Sequence, residues 1–235
     1  VFFLNRLDIS HNILMLTNLQ HLLIGNKWLR ICFDLLYLIL PVLLVYSIVK
    51  RKNYVRILAV CTAVFSVVYA SFFSSMSFVS VEIFIAWMII PLIFYARAVT
   101  GFYYLMHCAR IIFIIIFLSA AVWKIRAGGI FNMEEMSAVL LRQHATYIAS
   151  NSSTWFSRLI TYLINHTILS YCFYLFAFIA ELIFALGLFT KKFDKYLILA
   201  FCLFAIFDYL LMGINYFTWL PFMGCLYFSK YTIDD

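Results

Sequence analysis

Uninterrupted apolar runs of about 18 to 22 residues recur along the chain, each long enough to cross a hydrocarbon core of roughly 30 Å as a helix. Inside a bilayer no water is available to the backbone, so a spanning segment must satisfy its own N–H and C=O groups. Only helices and closed barrels do this. Barrel strands would alternate apolar and polar residues over about 10 positions. The runs here are continuous, so helices are expected. Composition agrees: 66% of the 235 residues are hydrophobic and 11% are charged, against about 25% charged in soluble domains. A soluble fold of this size could not hide that much apolar surface.

The runs predict an all-α polytopic transmembrane bundle of about seven spans, near residues 28–49, 55–73, 78–96, 102–123, 168–189, 195–212 and 214–229. Pro41, Pro91 and Pro221 fall inside the first, third and seventh. Residues 1–27 mix polar and apolar positions, with no cleavable-signal pattern. They predict an amphipathic interfacial helix over about 9–24. Residues 124–167 are wetter. Asn132 and Glu135 have capping-box spacing, which predicts a helix over 133–148. Residues 151–154 (NSST) predict a turn, and residues 155–166 a second amphipathic helix lying along the membrane surface. Residues 230–235 form a short tail.

The net charge of +7 does not point to nucleic acid, because the basic residues sit at the ends of apolar runs, as topology signals do. Lys50, Arg51, Lys52 and Arg56 follow the first span, Arg97 the third, Lys191, Lys192 and Lys195 the fifth, and Lys230 the seventh. This places the odd-numbered connections in the cytoplasm, with the N-terminus out and the C-terminus in. In a bacterium, residues 124–167 would face the periplasm from the inner membrane. Lys124, Arg126, Arg142 and Arg158 in and around that segment bend the rule. The six cysteines lie inside apolar runs and form no CxxC pair, so free thiols are expected. The His and Cys spacing predicts no metal site and no haem ligation.

Ionisable groups in lipid cost roughly 2.5–3.5 kcal/mol each on insertion scales and mark functional positions. Asp34, Glu82, Lys124 and Asp208 are expected near the outer side, with His144 and His166 able to join them from the external segment. Lys124 there could act as a base or nucleophile, or extend to the headgroups with the acids paired to it. Arg110 and Glu181 each lie about 8 residues from the inner end of a span, roughly 12 Å deep. That depth predicts an interhelical Arg110–Glu181 pair, with His107 one turn from Arg110.

Residues 117–140, FLSAAVWKIRAGGIFNMEEMSAVL, resemble a motif of the vitamin K-dependent γ-carboxylase-like membrane family, also called HTTM. In that motif a membrane helix ends in a Lys-Lys-Leu pattern, followed by a Gly-containing turn and another helix. Trp123-Lys124-Ile125 takes the Lys-Lys-Leu position, and Lys124 matches the lysine assigned as the base in carboxylases. Over residues 172–228, Glu181 falls at an acidic position of the family, with Lys191-Lys192 as its basic turn. Ile206-Phe207-Asp208 falls where carboxylases have Phe-His, and residues 215–222 (NYFTWLPF) resemble the final Gly-x-Phe segment. DoxX-like proteins share a similar pattern at Glu181, Gly187 and Leu188. Trp123 replaces the first lysine and Asp208 the histidine, and the sequence ends at Asp235 where carboxylases continue into a large lumenal domain. Protein carboxylation is therefore not expected.

Two functions follow from the resemblance and the charges. One is a noncatalytic subunit or accessory of a larger membrane complex, in contact with lipids and other membrane subunits. The other is a membrane enzyme or a quinone- or lipid-binding protein. Its base would be Lys124, assisted by Asp208 or Glu82, with His144, His166 or Asp34 as auxiliaries. The charge pattern predicts that cysteines placed at residues 151 and 191 react with impermeant reagents from opposite faces of the membrane. Same-side labelling would reject the topology.

Overall fold

The computed structural model describes residues 18–76, 83–95 and 97–229. Among these no strand occurs. The α-helices are α1 (Asn18–Gly25), α2 (Lys27–Val49), α3 (Val55–Met76), α4 (Ile83–Ile89), α5 (Val99–Arg126), α6 (Glu135–Ser150), α7 (Trp155–Asn165), α8 (Thr167–Ile183), α9 (Leu186–Phe189), α10 (Asp194–Met212) and α11 (Met223–Phe228). Tighter 3-10 turns cover Ile90–Phe94, Gly129–Phe131 and Phe217–Phe222. Five helical stretches are long and apolar enough to cross a membrane: Lys27–Val49, Val55–Ser74, Val99–Arg126, Thr167–Phe189 and Asp194–Met212. These match the expected first, second, fourth, fifth and sixth spans, and the fold is that of an integral membrane protein.

The third expected span is described only from Ile83, and the seventh holds a short helical stretch within its expected 214–229. These are the shorter apolar segments Ile83–Phe94 and Phe217–Phe228, each roughly 20 Å long at helical rises. Proline shapes both segments. It removes a backbone donor and clashes with the preceding turn. Pro91 stands at the start of one 3-10 turn and Pro221 lies inside the other. Glu82, most of the expected N-terminal amphipathic helix and the tail from Lys230 lie outside the described residues.

The described chain divides into two compact units, one up to Ala109 and one from Arg110, and the division falls within α5. In the first unit Asn26 caps α2, its Oδ1 accepting from the amides of Trp28 and Leu29. Phe33 packs on Phe65 and Phe72, and Tyr37 stacks on Tyr69 at 4.2 Å between ring centroids. Leu44 of α2 meets Val55 and Ala59 of α3 in a small core that Leu92 and Tyr95 close.

The second unit is built around aromatic side chains. Phe113 and Phe117 of α5 pack against Phe184, Phe201 and Trp219, with Phe117–Phe184 stacked at 4.5 Å. Offset and edge-to-face rings of this kind add to the gain from burial. α6 begins two residues later than the capping box predicts. Asn132 Oδ1 accepts from the Glu134 amide and Asn132 Nδ2 donates to Glu135 Oε2 at 3.4 Å, but both contacts hold the turn before the helix. Thr154 caps α7 through the Ser157 amide, as the NSST turn signal implies. The apolar face of α7 turns inward. Ile160 and Leu163 pack on Met136 and Leu140 of α6, with Phe173 of α8 against them.

Gly187 leaves room for side chains of α5 and α10 to pack onto α9. A Cβ there would stand 2.7 Å from Ile114 Cδ1 and 2.8 Å from Leu197 Cδ1. A Gly187→Val substitution should therefore lower stability by about 1–3 kcal/mol, read as an earlier unfolding midpoint in mild detergent. An unchanged midpoint would mean that α9 does not pack this closely.

Candidate functional site

Two buried charge pairs lie in the second unit, one toward each end of its α5 segment. At the first, Arg110 and Asp194 form a bidentate pair, with Nε donating to Oδ2 at 2.8 Å and Nη2 to Oδ1 at 2.7 Å. Both side chains are almost wholly buried. Arg110 Nη2 also donates to the carbonyls of Gly187 at 2.6 Å and Thr190 at 3.2 Å. These lie at the C-terminal end of α9, where helix carbonyls lack partners and a cation is favoured. Ser229 Oγ reaches Asp194 Oδ2 at 3.5 Å, and Lys191 Nζ donates to the Ser229 carbonyl.

The second pair lies roughly 21 Å along α5. Lys124 Nζ donates to Glu181 Oε1 of α8 at 2.7 Å. The Tyr174 ring, also on α8, lies 5.4 Å from Nζ, within cation–π range. Tyr171 donates from its hydroxyl to the Ile130 carbonyl. A Cβ on Gly129 would collide with the Tyr174 hydroxyl, so the turn after Lys124 rests directly on α8. Glu181 Oε2 is buried and has no hydrogen-bond partner among the described residues. Asp208 of α10 lies within Coulombic range of both Lys124 and Glu181. It lines a cavity whose other walls are apolar, among them Phe173, Phe176, Phe204 and Phe207. Lys124, Glu181 and Asp208 therefore form one charged group of formal charge −1.

The charges pair differently from the sequence expectation. Arg110 pairs with Asp194 and Glu181 with Lys124, so the Arg110–Glu181 pair is not formed. The cause is the path after α8. Gly187 lets α9 press against α5, which brings the carbonyls of Gly187 and Thr190 and the start of α10 to the guanidinium. Lys124 and Asp208, expected near each other, do share one site. Asp34 belongs to the first unit, where its Oδ1 accepts from the Tyr69 hydroxyl at 2.6 Å. His107 lies one turn before Arg110 on α5. His144 Nε2 bonds the Leu211 carbonyl at 2.8 Å and its ring packs edge-on against Phe156. His166 stacks on Tyr162 and bonds its carbonyl at 2.8 Å, which makes it a fixture of the α7 terminus.

Sequence reasoning missed Asp194 and Tyr174. An acid in the first turn of a helix is an ordinary preference, which hides a buried ion-pair partner. Tyr174 was one aromatic among many. Its seven-residue spacing before Glu181, two turns on one helix face, was the available signal. Among the described residues no group of His, Cys, Asp and Glu side chains has the arrangement to hold a metal ion.

Neither a family model, nor a curated protein, nor a solved structure matches the chain. Function therefore rests on the geometry. Removing one member of a buried pair leaves the other charge uncompensated, at a cost of about 3–5 kcal/mol. Arg110→Met and Asp194→Leu should each destabilise by that order. The double variant should lose much less than the sum, and additive losses in a double-mutant cycle would refute the pairing.

Proposed function

We propose that this multi-pass membrane protein is a noncatalytic subunit or accessory of a larger membrane assembly, distantly related to the HTTM/carboxylase-like proteins. The Lys124–Glu181 ion pair carries the proposal. A lysine serving as base must offer its nitrogen to a substrate, whereas Lys124 Nζ donates to Glu181 Oε1 at 2.7 Å. Its role here is to fasten α5 to α8. The family relationship is supported by Lys124, Glu181 and Asp208, the charged residues that carry the resemblance, gathering in one group.

The assembly role is supported by α2. It exposes Leu35, Leu38, Val42, Val45 and Val49, spaced alternately three and four residues apart like the contact row of packed helices. β-Branched valines are stiff at χ1 and lose little freedom on packing. Purification from native membranes in mild detergent should yield stoichiometric membrane partners. Val42→Phe/Val45→Phe should release them without moving the unfolding midpoint. A monodisperse monomer with a Lys124-dependent turnover of a quinone or lipid would overturn the proposal in favour of the enzyme reading.

A further inference from the structure

The Asp208 carboxylate makes no hydrogen bond or ion pair among the described residues, and the nearby Lys124 gives its bond to Glu181. Yet it faces a cavity with four phenylalanine rings in its walls. Phe204 is buried, whereas Phe176 and Phe207 are partly exposed at the rim, so the cavity opens at the outer surface of the unit. Phe207 packs on Phe173 and Phe176 at centroid distances of 5.9 and 5.5 Å. A carboxylate lined by apolar groups, whose nearby cation is bonded to another acid, is costly, so the site favours an occupant that brings positive charge.

We infer that the Asp208 cavity binds the primary ammonium head of a single-chain, membrane-dissolved amphiphile, whose alkyl tail leaves past Phe176 and Phe207. Four observations converge on that chemistry. The Lys124–Glu181–Asp208 group has a formal charge of −1, so one monovalent cation neutralises it. Four phenylalanine rings line the cavity, and an aromatic ring attracts a cation over its face. Asp208 lies four residues from the C-terminal end of α10, where the helix dipole also favours positive charge. The cavity leaves about 20 Å³ for the centre of a water-sized group, little more than one water needs. That room suits –NH3+ better than a trimethylammonium head. An ammonium donates up to three hydrogen bonds, and Asp208 accepts one as a charge-assisted pair.

The test uses the full chain in nanodiscs of neutral lipid near pH 7, with decylammonium, decyltrimethylammonium and decanol as probes in equilibrium binding. The wild type should show one saturable decylammonium site and at least roughly tenfold weaker binding of decanol. Decyltrimethylammonium should also bind more weakly, through its size. Asp208→Asn keeps the shape and removes the charge, and should lose decylammonium affinity by roughly tenfold or more. Phe207→Leu keeps the carboxylate and should weaken binding by roughly two- to fivefold. If either variant fails to fold, the comparison of probes on the wild type still decides. Equal binding of decylammonium and decanol, no saturable site, or undiminished binding by a folded Asp208→Asn would each overturn the inference.

Discussion

The Arg110–Asp194 pair is the contact on which the second unit depends. A guanidinium and a carboxylate are both almost fully buried there, and each is satisfied more than once. Burying two ions is tolerated only when the geometry is good and the remaining donors and lone pairs find partners. The arrangement meets that condition by drawing in the ends of other elements. The carbonyls of Gly187 and Thr190 and the first turn of α10 gather on one side chain of α5, and Ser229 beyond α11 joins through Asp194. Helix ends that would otherwise leave backbone groups unpaired in an apolar setting are thereby closed.

Lys124 and Glu181 repeat the device at the other end of α5, less completely. Glu181 keeps one buried oxygen without a partner among the described residues, and the partly buried Asp208 carboxylate lines an apolar cavity. Between the two pairs the packing is aromatic, with Phe113 and Phe117 against Phe184, Phe201 and Trp219. The unit is therefore fully satisfied at one end and holds surplus negative charge at the other. That difference separates a structural clamp from a site able to receive something.

The membrane class and five of the spans were legible in the sequence because lipid imposes one simple rule, continuous apolar runs of sufficient length. The 3-10 turns at Pro91 and Pro221 were not, because an apolar run containing a proline reads as one continuous helix. Charge pairing was half legible. Residue type and depth put Lys124 and Asp208 on one side, and the two lie within Coulombic range of each other. Depth alone mispaired Arg110 with Glu181, because counting along straight helices ignores a chain that folds back. The glycine that permits the fold-back, Gly187, was visible, but its neighbours in space were not. His144 and His166 show the converse: suggestive residue types whose ring nitrogens bond the backbone.

The Arg110–Asp194 contact also has a consequence in time. Its members are 84 residues apart, so at about 5–20 residues per second the ribosome makes Asp194 roughly 4 to 17 s after Arg110. During that interval α5 must enter the bilayer bearing a guanidinium without its final acid. The order of synthesis thus makes α5 the reluctant member of the bundle. Arg110 gains its acid only when α10 begins to emerge.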